Sequence, residues 1–480
     1  MSQTKNTNWG QFIPLVTVFF FWGFIAASND ILIPVFKKAF DLSQGQSQFV
    51  SLAFYIAYTV GSIIYMIVSL IMGKDLINKL GYKNSLSLGL LISALGTLLF
   101  IPAANLESYP LMLSGLFTVA LGFSLQQTVA NPLAIALGDP KTGSQRLTLA
   151  GGINNLGTTI GPLIVAYAIF GSATEPSSDL SVDSVKIPYL CLGVAFLLVA
   201  IFLKFSSLPS HPEQEEENED TVNVVKDRSS ALKYPQLILG MIAIFLYVGV
   251  EVSTASNLPD YMQKELGFTI SQVAPYVSLY WASMMIGRWG GAAEAFGLDK
   301  TKTLILKFVA PYLAFGIFLL VNKIAGHDLK PFYFYAVFIL ALIIADISTK
   351  GNPAKMVLTF SIIGIIALLV GMNTSGLVSV YAITSVGLFC STLWPGIFAL
   401  AIKGLGKNTS QGSSFLIMMI MGGGVMSYLQ GLLADATTIH FSYVTGIICF
   451  SYLVFYAIIS PIVLKKQGIH LSEVKSEGGH

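Results

Sequence analysis

Apolar runs long enough to cross a lipid bilayer recur along this chain. They fall at about 12–36, 48–72, 85–104, 109–137, 147–171 and 187–206, and again at 237–262, 272–295, 302–322, 331–346, 355–372, 376–402, 410–434 and 441–464. A helix of about twenty apolar residues spans the ~30 Å hydrocarbon core and satisfies its own backbone polar groups there. Six such runs, a hydrophilic stretch and eight more predict an all-α membrane protein of about fourteen spans. Barrel strands would alternate polar and apolar residues over about ten positions, and these runs do not. Charge agrees: 11% of the residues are charged, against about 25% in soluble proteins.

The hydrophilic stretch HPEQEEENEDTVNVVKDRSS (211–230) reads as a disordered acidic linker. It divides the chain into an N-terminal bundle (1–206), a linker (207–236), a C-terminal bundle (237–465) and a tail (466–480). The short polar N-terminus MSQTKNTNWG leads into a first run without a small-residue cleavage signature, so that run is read as a retained span. Lys74, Lys79, Lys83, Lys141, Arg146, Lys300, Lys302, Lys350, Lys355, Lys403, Lys407, Lys465 and Lys466 fall in alternate loops or the tail. That bias places both termini in the cytoplasm of a multi-pass plasma-membrane protein.

Several function classes drop out. Cys191, Cys390 and Cys449 lie far apart in apolar runs, without CxxC or Cys/His spacing, and read as packing residues. His211, His327, His440, His470 and His480 lie in loops or near span ends. No catalytic triad, metal spacing or phosphate-binding loop occurs, so neither an enzyme, a cofactor nor ATP drive is expected. A net charge of +2 gives no reason to expect nucleic acid, and nothing requires an assembly beyond a monomer in the bilayer.

Chemistry concentrates in a few polar residues within the runs. FFFWGFIAASNDILIPVF (19–36) carries one carboxylate, Asp30, beside Asn29. An ionisable group in mid-membrane costs roughly 2.5–3.5 kcal/mol on insertion scales and normally faces a water-filled cavity or a partner. The bland alternative is a protonated Asp tied to a neighbouring helix. Gln126, Gln127, Asn131 and Asn154 add amides in the first half; Tyr247, Glu251, Asn257 and Trp394 are the corresponding groups of the second. Amides and carboxylates can bind vicinal sugar hydroxyls, with an aromatic face under the ring, whereas the competing reading is interhelical hydrogen bonding. Gln127 and Asn131 share a helix face, as do Tyr247 and Glu251.

An internal repeat points to a transporter. NPLAIALGDPKTGSQRLTLAGG (131–152) and WPGIFALAIKGLGKNTSQGSSF (394–415) share a proline, an apolar exit, a basic loop and a Ser/Gln cluster. GKDLINKLGYKNSL (73–86) and GRWGGAAEAFGLDKTKTL (287–304) each follow the second span of a half. Halves related by a parallel repeat are a transporter pattern. If 376–402 matches the fourth run, two of the three spans in roughly 302–372 are additions to a twelve-helix plan.

These segments, with LQQTVANPL (125–133), LTLAGGINNLGTTIGP (147–162), FLYVGVEVS (245–253) and QGSSFLIMMIMGGG (411–424), resemble the fucose/glucose–galactose cation symporters of the major facilitator superfamily. The resemblance implies the major facilitator fold, two six-helix bundles rocking about a central monosaccharide site. Proton-coupled members resemble LETAANP at the fourth helix, with a carboxylate that works with the first-helix Asp; here that position is Gln127. The fucose-type pattern has a Gln where this chain has Gly151. Both changes speak against fucose and a two-carboxylate proton relay.

One carboxylate balances one monovalent cation, so Na⁺ on Asp30 with neutral oxygens from Asn29, Gln127, Thr128 or Asn131 is favoured. The alternative is H⁺ carried by Asp30 or Glu251. The expected function is import of a glucose- or galactose-like hexose by cation symport. A drug exporter of the same fold would expect an amide-poor cavity. Arg288, in GRWGG, is expected to cap helix carbonyls, with Asp299 or Glu294 nearby. LGTTIGPLI (156–164) and MGGGVM (421–426) read as close-packing motifs.

Overall fold

In a computed structural model of the protein, residues 7–39, 44–170, 186–209, 230–268 and 270–469 are described; side chains are described outside 26–52, 162–163, 165–170 and 270–271. The described chain is helical. The first half holds α1 (Trp9–Ala39), α2 (Gln44–Ile71), α3 (Tyr82–Leu98, resuming as Phe100–Asn105), α4 (Tyr109–Ala136), α5 (Gly143–Phe170) and α6 (Lys186–Phe205). The second holds α7 (Pro235–Leu266), α8 (Ile270–Gly291), α9 (Lys300–Ile324), α10 (Tyr335–Thr349) and α11 (Pro353–Asn373). It closes with α12 (Gly376–Cys390, resuming as Leu393–Ile402), α13 (Thr409–Met418, resuming as Gly422–Ala436) and α14 (Val444–Lys466). Among the described residues, 11 segments are long and apolar enough to cross a membrane. Most of the acidic linker and of the tail lies outside the described residues.

One packing pattern occurs in both halves. In the first half α1 packs on α5, α2 on α4, and α3 on both α4 and α6; in the second α7 packs on α13, α8 on α12, and α11 on both α12 and α14. Helices α9 and α10 stand outside this correspondence. α9 lies along α8, and α10 touches α8, α9, α11 and α12. The halves meet where α2 and α4 pack on α13 and α5 packs on α8.

Glycines set the closest of these approaches. On α5, a Cβ at Gly157 or Gly161 would lie 2.3 Å or 2.6 Å from the Phe20 or Phe24 carbonyl oxygen of α1. Gly23 answers from α1, where a Cβ would come within 1.9 Å of the Asn154 carbonyl oxygen. The second half repeats the arrangement: at Gly422 of α13 a Cβ would lie 2.0 Å from the Phe245 carbonyl oxygen of α7. LGTTIGPLI and MGGGVM thus bring backbones together, as small residues do in membranes. Gly23→Ala should lower the melting temperature of detergent-solubilised protein, at a cost of about 1–3 kcal/mol or more for overpacking. An unchanged melting temperature would contradict this contact.

One buried ion cluster ties α9 and α10 to the end of α8. Lys307 Nζ (α9) lies 2.6 Å from Glu294 Oε1, in the turn after α8, and 2.6 Å from Asp346 Oδ2 (α10). The three side chains are 8%, 27% and 10% exposed. The run expected over 272–295 therefore ends earlier: α8 stops at Gly291, and Ala293–Phe296 forms a tight 3-10 turn that delivers Glu294 to Lys307. None of the three cysteines is in a disulfide; Cys390 and Cys449 are buried as expected, while Cys191 is exposed on α6.

Candidate functional site

Polar side chains gather where the halves face each other, part-way along α4, α5, α7 and α12. At 1.5 Å per residue, Gln127, Asn154, Trp394 and Glu251 lie between roughly 12 and 24 Å along their helices from one end of the molecule. That end carries Thr7, the α4–α5 turn, Gly291 and Lys403, and the described flanks of the linker also lie there; it is called the linker end below. Gln127, Asn154, Glu251, Asn257 and Trp394 are only partly buried, whereas Asn131, Thr128 and Tyr247 are buried. Amides and a carboxylate that keep partial exposure in mid-helix are candidates to line an internal polar space, because lipid does not tolerate them on the outer face.

The expected residues divide by what they touch. Gln127 on α4 donates from Nε2 to the Tyr58 hydroxyl of α2 at 3.0 Å. Asn154 of α5 donates to the Phe19 carbonyl of α1 at 2.9 Å. Asn131 is 2% exposed, and its Nδ2 has no hydrogen-bonding partner among the described residues. The Tyr247 hydroxyl interacts with the Glu251 side chain one turn along the same helix. Its ring lies 6.3 Å from that of Trp394, which stacks at 6.0 Å on Phe398. The Glu251 backbone carbonyl accepts the Tyr280 hydroxyl at 2.8 Å, and the Asn257 amide returns to its own helix at the Ser253 carbonyl, 2.8 Å away. Asn29 and Asp30 fall on the α1 helix, but their side chains lie outside the described residues.

Gln126 takes the structural alternative. It is 0% exposed; its Oε1 accepts Trp22 Nε1 at 2.8 Å and its Nε2 donates to Ser93 Oγ at 3.0 Å. Both ends of the amide thus hold α1, α3 and α4 together. It faces away from Gln127 because neighbours on a helix point about 100° apart. Thr128 is also committed: its hydroxyl bonds back to the Ser124 carbonyl at 2.9 Å.

Two prolines shape the linker end of the site. A helical proline has no N–H for the carbonyl four residues earlier and crowds it. Pro132 on α4 leaves the Thr128 carbonyl without that partner, and Ser413 Oγ of α13 donates to it at 2.8 Å. Pro395 on α12 does the same to Ser391, where the helix breaks, and Arg288 Nε of α8 donates to that carbonyl at 2.7 Å. Arg288 continues across the boundary to the Gly151 carbonyl of α5 at 3.2 Å, and Trp289 Nε1 reaches the Gly152 carbonyl at 3.2 Å.

Arg288 therefore caps carbonyls as expected, but neither expected acid accompanies it. Asp299 instead caps α9 through the Lys302 N–H at 2.9 Å and pairs with Lys302, and Glu294 turns to Lys307. Helix α8 aims Arg288 into the bundle, whereas both acids lie past its last residue. Further contacts close the same end: Thr7 Oγ1 donates to the Ala295 carbonyl at 2.5 Å, and Gln145 Nε2 donates to the Gly351 carbonyl at 2.9 Å.

Some contributors were not foreseen. Thr254, buried and with its hydroxyl unpartnered among the described residues, shares a face of α7 with Tyr247 and Glu251, a spacing visible in the sequence. Asn155 is buried with its Oδ1 likewise unpartnered among the described residues, directly after Asn154. Tyr58 carried no signal, since its value comes from meeting Gln127 of another helix.

Comparison with known proteins places the fold. Residues 15–341 match the model of the Major Facilitator Superfamily. A "Glucose/galactose transporter" of Brucella abortus biovar 1 (strain 9-941) is 35% identical over 459 residues, covering 95% of each chain. The "L-fucose-proton symporter" of Escherichia coli (strain K12) is 28% identical over 441 residues, covering 88% of this chain and 87% of its own. Among solved structures, the transporter FucP in the outward conformation aligns with a TM-score of 0.70 at 27% identity, over 94% of this chain and 98% of that one.

Proposed function

Because this chain belongs to the Major Facilitator Superfamily, and within it to the fucose/glucose–galactose transporter family, we propose that it imports a glucose- or galactose-like monosaccharide by cation symport. It is a multi-pass membrane transporter and not an enzyme. The observation that carries the substrate reading is the set of partly exposed polar groups held mid-helix between the halves, Gln127, Asn154, Glu251 and Trp394. The amides and carboxylate suit hydroxyl recognition, and Trp394, angled against Tyr247, suits the apolar face of a sugar ring. Asn131 and Thr254 carry buried polar atoms without a partner among the described residues, which a bound sugar, ion or water would satisfy.

The linker end is the cytoplasmic end in this reading, in keeping with the basic residues of its loops. The direct bonds between halves at that end correspond to a cytoplasm-closed state, in keeping with the likeness to an outward-conformation structure. The units are an N-terminal bundle (1–206), a linker (207–236), a C-terminal bundle (237–465) and a tail (466–480). Within the C-terminal bundle, α9 and α10 are the two additions to a twelve-helix plan, giving fourteen spans; their lack of a packing counterpart in the first half supports this.

Coupling is assigned to Na⁺, held by Asp30 with Asn29, Gln127 and Asn131 around it. The neutral Gln127 leaves α4 without a carboxylate at the proton-relay position. Uptake of radiolabelled glucose, galactose and fucose into proteoliposomes tests the reading, with Na⁺ and pH gradients imposed separately. Glucose or galactose should accumulate several-fold with inward Na⁺ and stay at equilibrium with a pH gradient alone. Accumulation with the pH gradient alone would move the coupling to protons, and no hexose accumulation under either would end the symport reading.

A further inference from the structure

The two helical prolines at the linker end stand at matching places in the internal repeat, Pro132 in NPLAIAL and Pro395 in WPGIFAL. Each frees a carbonyl, and each freed carbonyl takes a side-chain donor that closes the boundary between halves. The Thr128 carbonyl, in the first half, accepts directly from Ser413 in the second. The Ser391 carbonyl anchors Arg288, whose other arm reaches Gly151 of the first half. Ser413 and Thr392, beside these bonds, are buried, so water does not readily replace a lost donor.

We propose that Pro132 and Pro395 are positioning residues for the closed gate: each holds a backbone carbonyl out of its helix ladder as the acceptor on which the opposing element latches. An alanine at either place restores the missing N–H, turns the carbonyl back along the helix axis and removes the latch. The proline itself touches neither sugar nor ion. The prolines thus set the balance between gate-closed and gate-open states rather than substrate affinity. The inference rests on the alternating-access reading above, but not on the identity of the sugar or the cation.

Electron–electron distance measurements on the full chain in lipid test it. Spin labels are placed at Lys141→Cys and Lys300→Cys, exposed positions on opposite halves, with Cys191, Cys390 and Cys449 changed to Ala. Alanine is favoured over proline within a helix, so the test variants are expected to fold. Pro132→Ala should raise the ratio of long to short distances about three- to ten-fold, the scale of one net hydrogen bond. Ser413→Ala should do the same, and the double variant should shift no further than either single one, since both remove one bond. Pro395→Ala and Arg288→Lys should behave as a second such pair. Unchanged distances in correctly folded Pro132→Ala, or shifts that add in the double variant, would overturn the proposal. The readout needs no substrate, so a failure of hexose transport leaves the latch separately tested.

Discussion

Asp30→Asn should abolish gradient-driven sugar accumulation, by at least about a hundred-fold in initial rate, while leaving exchange of sugar down its own gradient. Asp30 is the single carboxylate of α1. A charge at that depth costs roughly 2.5–3.5 kcal/mol on insertion scales, and a bound cation offsets that cost. Asn keeps the shape and loses the charge, so the proposed cation site loses its electrostatic anchor while the polar groups on α4, α5 and α7 stay in place. Parallel uptake and counterflow assays of wild type and variant read the two activities apart. Full accumulation in Asp30→Asn would transfer the coupling role to Glu251 of α7.

The second large effect concerns folding rather than transport. Lys307→Met should cost about 3–5 kcal/mol, because it leaves two carboxylates buried without their cation. Glu294 and Asp346 both lie 2.6 Å from the ammonium, at 27% and 10% exposure. Lys307→Arg should retain much of the stability, since a guanidinium can serve both acids. The combined change Glu294→Gln, Lys307→Met and Asp346→Asn should recover part of the loss by removing every uncompensated charge. Thermal melting in detergent reads all three. Equal melting of Lys307→Met and wild type would mean that the cluster does not anchor α9 and α10 to the end of α8.

Membrane residence and the order of helices were legible in the sequence because lipid imposes a strict length and polarity on each segment. The polar positions were legible for the same reason: an amide or carboxylate inside an apolar run stands out. The repeat pointed to a pair of added helices within 302–372, and in the described packing α9 and α10 have no counterpart in the first half. Roles were less legible. Gln126 and Gln127 are adjacent and chemically identical, yet one is fully buried and ties three helices together while the other stays partly exposed and bonds only Tyr58 among the described residues.

What the sequence determined by itself is therefore whatever one segment experiences alone: its length, its hydropathy, its prolines and the presence of an intramembrane charge. Tertiary structure decided which groups meet. That Arg288 serves the Ser391 and Gly151 carbonyls while Lys307 serves Glu294 and Asp346 depends on where helices cross. Pro132 and Pro395 announce freed carbonyls in the sequence, because the missing N–H is a local fact. The donors that reach those carbonyls come from other helices, and glycines leave room for one of the two contacts, Gly287 beside Ser391 and Gly151 beside Arg288.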